Sequence, residues 1–166
     1  MAAHKDYESM SQLLDYSIER HFQINKITTN KALGFIEAVM ARQIDLIINW
    51  MRVGFIHGVM NTDNSTISGE TIDYGPCAFM DQYDFKTVFS SIDAQGRYAF
   101  GNQPSIIQWN LIRLAECLLP LIDKQEKEAI KKAQASINKF SDIFNHKWKA
   151  MMLSLIHISE PTRPFH

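Results

Sequence analysis

His57-Gly58-Val59-Met60-Asn61-Thr62-Asp63-Asn64, followed nine residues later by Asp73-Tyr74-Gly75-Pro76, is the stretch on which the reading of this chain turns. It gathers an imidazole, two carboxylates and an amide around one short connection. Thr66, Ile67, Thr71 and Ile72 are β-formers on either side of Ser68-Gly69, so the segment between the two runs reads as a short hairpin. That layout puts Asn64 at a loop end and Asp73 on the next strand, with oxygens supplied from two sides. Hard cations take such oxygens, and magnesium suits carboxylates combined with an amide or waters. Asp63 is a spare carboxylate, able to act as a base or to orient a ligand. A plainer reading stands beside this one. Asp and Asn are common in turns, Asp-Tyr-Gly-Pro is a good turn sequence, and a lone His57 is more often a structural hydrogen-bonding residue than a catalyst.

Working outward, helices flank the segment on both sides. Tyr7, Met10, Leu14 and Ile18 recur at helical spacing, predicting a helix over 5–21, and Gln23 to Thr29 reads as a connector. Thr29 or Asn30 is a plausible N-cap for a helix running to about Arg52. Leu33, Ile36, Met40, Ile44, Ile47 and Met51 form one stripe on it, and Val39, Leu46 and Trp50 form a second. A helix apolar on two faces is central and buried. Gly54 ends it, and Phe55-Ile56 starts a short extended piece leading into His57. Residues 75–103 have little periodicity, and so long a connection is usually functional. Pro104 opens a further helix as an N1 residue, with Ile107, Leu111, Leu114, Leu118 and Leu121 along one face. Pro120 should bend or stop it. Ala129, Ala133, Ile137, Phe140, Phe144 and Trp148 predict one last helix over about 124–151.

The totals set limits. The 166 residues suffice for one domain with a core, and 46% hydrophobic with 21% charged residues is ordinary for a globular protein. A net charge of −1 offers no electrostatic case for nucleic acid or an anionic membrane as partner. The lysines at 124, 127, 131, 132 and 139 sit among Asp123, Glu126 and Glu128, a mixed solvated face. No apolar run approaches the roughly 18 residues of a membrane span, and no signal peptide opens the chain. A cytoplasmic protein is therefore expected, with mitochondria as the eukaryotic alternative. Cys77 and Cys117 read as free thiols, Cys117 in the core and Cys77 near the site, and no Cys/His cluster has zinc spacing.

A protein-kinase site offers a direct comparison. There a His-Arg-Asp run is followed by a metal-binding Asn and then by Asp-Phe-Gly. Counting from His57, Asn64 falls at the Asn position, Asp73-Tyr74-Gly75 takes the place of Asp-Phe-Gly, and the catalytic Asp position falls on Val59. Val59 cannot accept a proton. The metal-holding half of such a site is present and its usual base is missing.

Longer runs carry a more specific resemblance. Val53 through Asn64, then Ile67-Ser68-Gly69-Glu70-Thr71-Ile72-Asp73-Tyr74-Gly75-Pro76, closely resembles the selenoprotein O family. Phe79-Met80-Asp81, Gly96-Arg97-Tyr98-Ala99-Phe100-Gly101-Asn102-Gln103-Pro104, Trp109-Asn110-Leu111 and Leu118-Leu119-Pro120-Leu121 continue the match. Leu13-Leu14-Asp15-Tyr16 with Glu19-Arg20-His21 fits upstream, so the resemblance covers nearly all of residues 7–152. It implies a protein-kinase-like fold, here mainly α with one small antiparallel β-hairpin, forming the C-terminal lobe. It implies transfer of AMP from ATP to Ser, Thr or Tyr hydroxyls of proteins, with pyrophosphate released and ATP bound in a flipped orientation. By the same resemblance Asn64 and Asp73 are ligands of magnesium (or manganese) and hold the nucleotide through it, and Asp63 is the candidate general base. Kinase-type phosphoryl transfer, or a non-catalytic binding module, are the alternatives.

There are departures. Ser65 stands where many members of that family have Met, a change expected to alter packing under the site. No Gly-rich loop and no strand-borne Lys with a helical Glu partner can be assigned, so the chain reads as a C-lobe fragment that holds metal ligands but lacks most of the nucleotide's cradle. Leu153 to Arg163 matches, codon by codon, a transposon-end sequencing adaptor read in frame. Residues 153–166 are therefore expected to be non-native and are set aside from fold reasoning.

Overall fold

The computed structural model describes residues 6–22 and 30–159. Five helices, α1 (Tyr7–His21), α2 (Lys31–Arg52), α3 (Gln103–Ile122), α4 (Glu126–Ile137) and α5 (Phe140–Ser159), account for most of them. The connector expected over 23–29 lies outside the described residues. Asp6 caps α1, accepting from the Ser9 N–H at 3.0 Å, and Asn30 caps α2, accepting from the Leu33 N–H at 3.0 Å. Asn30 acts twice. Its Nδ2 donates 2.9 Å to the carbonyl of Ile122, one of the orphan acceptors at the end of α3. One side chain thus joins the start of α2 to the end of α3. Pro120 does not stop α3, which runs on to Ile122 before leaving helical geometry at Asp123.

The two apolar stripes of α2 have the expected consequence. Ile36, Ile44 and Ile47 are fully buried, and α2 packs against α3, α4, α5 and the β-structure. It is the central rod of the bundle. With the 3-10 turn before it, α3 is long and apolar enough to cross a membrane by length and composition, contrary to the expectation that no segment is. Here that apolar surface packs on α2 and α4.

The last predicted helix is two. α4 ends at Ile137 and α5 begins at Phe140. Ala129, Ala133, Ile137 and Phe140 are all buried, so the stripe passes through the break without losing phase, which hides it from periodicity. The break is held from outside. Glu37 of α2 accepts from Ser136 Oγ at 3.1 Å and from Lys139 Nζ at 2.7 Å, on either side of the joint. Phe140, Phe144 and Trp148 then stack nearly parallel along α5, at 6.1 and 6.2 Å between centroids.

Two further expectations are corrected. The segment 66–72 forms no hairpin. The antiparallel pair is instead β1 (Phe55–Ile56) with β2 (Ala78–Phe79), in the register Phe55↔Phe79 and Ile56↔Ala78. Residues 57–77 are one loop strung between these strands. Cys117 is exposed rather than core, although it shares a helix with buried Leu118; both cysteines are free thiols.

The Lys139 hydrogen bond, opposed by partial burial and aided by Ser136, holds the Glu37 carboxyl below its ordinary value. A depressed carboxyl stabilises the fold at pH values above its unfolded pKa, and this contribution disappears as the pH falls through the folded one. The side chain is 38% exposed, so solvent screening keeps the effect near ~0.5 kcal/mol. Glu37→Gln should therefore lower stability by about that amount at pH 7 and by nothing measurable at pH 3. Urea unfolding across that range checks it, and a pH-independent difference would refute it.

Candidate active-site loop

The loop 57–77 leaves β1 at His57, and His57 organises it. The residue is fully buried. Its ring lies 5.4 Å from that of Trp50 on α2, tilted by 29°. The Val59 N–H points at Nδ1 at 3.3 Å, so Nδ1 must be the acceptor and the proton must sit on Nε2. Nε2–H then donates to the carbonyl of Ile72 at 2.8 Å. The imidazole joins the two arms of the loop, one entering the Asn64 turn and the other entering Asp73. Among the readings the sequence allows for His57, the structural one holds.

Each arm is fixed further. On the first, Thr62–Asn64 forms a 3-10 turn closed by Asn64 N–H to Asn61 O at 3.1 Å. The Asn64 Nδ2 donates to the Val59 carbonyl at 3.0 Å. A carbonyl partner accepts only from the amide nitrogen, so Oδ1 is the acceptor left free of this bond. On the second arm, Trp50 Nε1 donates to Thr71 Oγ1 at 2.9 Å, just before the Ile72 carbonyl held by His57. Asp73 then adopts φ of 55°, the left-handed region that costs a non-glycine residue energy. Its exposed carboxylate, and that of Asp63, make no hydrogen bond or ion pair among the described residues. Asp73 lies in this strained bend, not on a strand, and Asn64 closes a helical turn. Gly58 is required where the arms cross. Its φ is 85°, and a Cβ there would stand 3.0 Å from Pro76 Cγ and 3.1 Å from Pro76 O.

The missing hairpin has a physical cause. Thr66 Oγ1 accepts from the Glu70 N–H at 2.9 Å and donates to the Glu70 carbonyl at 2.8 Å, closing the turn through a side chain. The carbonyls a strand partner would use are taken by α2: Gln43 donates to Thr66 O, and Arg42 Nη1 donates to Ser68 O at 3.2 Å.

Two positioning residues, Gln103 and Asn110, were not singled out by chemical reasoning on the sequence. The His57 N–H donates to Gln103 Oε1 at 3.2 Å, and Gln103 Nε2 returns to the Phe55 carbonyl at 3.1 Å. Asn110 Nδ2 donates to Met60 O at 3.2 Å and to Ser65 Oγ at 2.7 Å. Ser65 Oγ in turn donates to Asn61 O at 3.2 Å. Ser65 is thus wired into the floor of the turn through its hydroxyl. The signal was available: Gln103 and Asn110 lie on the same α3 stripe as Ile107 and Leu111, where a polar residue needs a partner.

No group of three or more His, Cys, Asp or Glu residues suited to a metal occurs among the described residues. The donor set of the loop is smaller and harder. It comprises the Asn64 amide oxygen and the carboxylates of Asp73 and Asp63, none engaged elsewhere. That chemistry fits a magnesium ion whose other positions are filled by water or phosphate oxygens.

A family model described as protein adenylyltransferase SelO matches residues 1–163. Among curated proteins, the chain is similar to the protein nucleotidyltransferase YdiU of Alcanivorax borkumensis, with 59% identity over 91% of this chain and 31% of that protein. It is 56% identical to the YdiU of Pelagibacter ubique over 92% of this chain and 32% of that protein. The YdiU of Geobacillus kaustophilus is 52% identical over 92% and 32%. The chain spans about a third of the length of these relatives.

If His57 is the joint of the loop, His57→Phe keeps an aromatic ring on Trp50 but leaves the Val59 N–H and the Ile72 carbonyl without their partner. Both groups are only partly buried, so water can replace some of the lost bonding, and a loss of about 1–2 kcal/mol in urea unfolding is expected. Unchanged stability would show that the imidazole does not hold the two arms.

Proposed function

The chain belongs to the SelO family of protein adenylyltransferases, and from that we propose that the whole protein transfers AMP from ATP to Ser, Thr or Tyr hydroxyls of other proteins, releasing pyrophosphate. The observation that carries the reading to these residues is the coupling of Asn64 and Asp73 to one buried imidazole, which places three unengaged oxygen-donor side chains on one braced loop.

The roles follow from what each group can do. Asn64 Oδ1 and the Asp73 carboxylate are the magnesium ligands. When bound, the metal neutralises charge on the triphosphate and draws off charge that develops at the reacting phosphate. Asp63 stands beside Asn64 on the 3-10 turn with its carboxylate in solvent, and takes the proton of the acceptor hydroxyl. The hydroxyl oxygen bonds to the α-phosphorus, the bond from that phosphorus to the pyrophosphate oxygen breaks, and pyrophosphate leaves. Bracing of both arms fixes these groups before substrate arrives, which is where positioning lowers a barrier.

The helices and loop form, in this reading, the C-terminal lobe of a protein-kinase-like fold. Its support is the order of parts: helix α2, a His-led run ending in Asn64, Asp73-Tyr74-Gly75, a long connection, and helix α3. Transfer of the γ-phosphate is less favoured. The position of the kinase base is Val59, whose side chain carries no proton acceptor and whose N–H and carbonyl are both committed to holding the loop.

In the full-length protein, Asp73→Ala should reduce AMP transfer by at least about 100-fold. Asp63→Ala should lower kcat by about 10²–10⁴-fold while KM for ATP changes by less than about threefold. Assays with ATP labelled at the α- or the γ-phosphate check both the reaction and the variants. Label passing to protein from the γ-phosphate alone would replace AMP transfer by phosphoryl transfer, and wild-type activity in Asp73→Ala would remove the ligand assignment.

A further inference from the structure

The connection 75–103 brings a positive charge to the flank of the Thr62–Asn64 turn. Gly96 takes φ of 66°, and the Asp93 carboxylate accepts from the N–H groups of Arg97 and Tyr98, each at 2.8 Å. Asn102 Nδ2 donates to the Gly96 carbonyl at 2.7 Å. The backbone at Arg97 is thus set from both sides. The Tyr98 hydroxyl then donates to Asn61 Oδ1, tying this bend to the residue that opens the turn carrying Asp63 and Asn64.

A second tie comes from α3. Trp109 precedes Asn110, whose amide holds Met60 O and Ser65 Oγ at the same turn. Trp109 is 40% exposed, and two guanidinium groups stand over its ring, Arg97 at 5.0 Å and Arg113 at 5.2 Å. Arg97 also lies 5.7 Å from the Tyr98 ring. The two cations differ. Arg113 is paired with Glu116 at 2.7 Å. Arg97 is exposed, and its guanidinium has no carboxylate partner among the described residues. Asp93, the nearest acid in sequence, has both oxygens on backbone N–H groups. Around the indole, two guanidinium groups face one carboxylate, so one positive charge is left uncompensated.

An arginine held over aromatic rings keeps its planar fork in place without using its N–H donors. Those donors remain available for a bidentate pair with a carboxylate. Fixed beside the turn of the proposed base, such a group suits a partner that arrives together with the acceptor hydroxyl. We propose that Arg97 is a specificity-determining residue that binds an Asp or Glu side chain lying close in sequence to the hydroxyl that receives AMP. The partner is therefore an acidic segment of a protein substrate, carried on the stacked surface of Arg97, Tyr98 and Trp109. The inference rests on the reading of the Thr62–Asn64 turn as the transfer site.

The full-length protein is given a library of peptides with a central Ser, Thr or Tyr and one flanking position varied at a time. ATP labelled at the α-phosphate is used and, in parallel, ATP labelled at the γ-phosphate. Asp and Glu should be preferred over Asn and Gln by at least about threefold at one or more flanking positions, and the preference should shrink in about 0.5 M NaCl. Arg97→Gln should remove the preference while changing KM for ATP by less than about twofold. Arg97→Lys should keep part of it, and Arg97→Glu should turn it toward Lys and Arg. Label passing from the γ-phosphate alone would sink the AMP-transfer reading, and the acidic preference would still be read on the same peptides. Fluorescence anisotropy of a dye-labelled, Ser-centred peptide with flanking Glu, against its Gln counterpart, reads the preference without ATP. Equal use and equal binding of acidic and amide peptides by the unaltered protein would overturn the proposal. An acidic preference that survives in both Arg97→Gln and Arg97→Glu would overturn it too. So would a raised KM for ATP in Arg97→Gln with the peptide preference intact, which would assign the guanidinium to the nucleotide.

Discussion

The His57 imidazole is the constraint on which the site depends. Its two nitrogens have opposite hydrogen-bonding roles, and the backbone assigns them: Val59 donates to one and Ile72 accepts from the other. No other neutral side chain offers a donor and an acceptor on opposite edges of a rigid ring that also stacks on Trp50. Two chain segments well separated in sequence are thereby fixed relative to one another with little freedom. The strain of a left-handed Asp73 is tolerable only in such a braced setting, because a free loop would relax it.

The rest of the fold supplies the bracing. α2 reaches the loop through Arg42, Gln43 and Trp50, and α3 reaches it through Gln103 and Asn110. Both helices are in turn locked to the bundle, α2 by burial on two faces and by the Glu37 clasp at the α4–α5 joint, α3 by Asn30 at its end. Polar side chains on otherwise apolar helix faces therefore serve the loop rather than the core.

Much of this was legible in the sequence, and the failures have specific causes. The two-sided stripe of α2, the Asn30 cap, the stop at Gly54 and the start of α3 at Pro104 follow from local rules, and the structure has them. The α4–α5 joint was hidden because Ala129, Ala133, Ile137 and Phe140 keep helical phase across it, and the clasp that holds it comes from Glu37, about a hundred residues away. The hairpin expected at 66–72 failed because β-forming Thr66 and Thr71 spend their hydroxyls on local and α2 partners, which propensity does not record. Cys117 showed that membership of an apolar helix does not decide which face a residue occupies. For the proposed site, the residue types and their order are what single out Asp63, Asn64 and Asp73 as candidates. The joint role of His57, and the support from Gln103 and Asn110, required knowing which helix faces meet the loop.

The central claim is that the braced loop presents Asn64 and Asp73 to one metal-bound nucleotide. Crystals of the full-length protein grown with manganese and a non-hydrolysable ATP analogue would test it by anomalous scattering. The account predicts a manganese peak within about 2.5 Å of both Asn64 Oδ1 and an Asp73 carboxylate oxygen, with the ring of His57 still bridging Val59 and Ile72. A nucleotide-bound manganese that touches neither residue would contradict it.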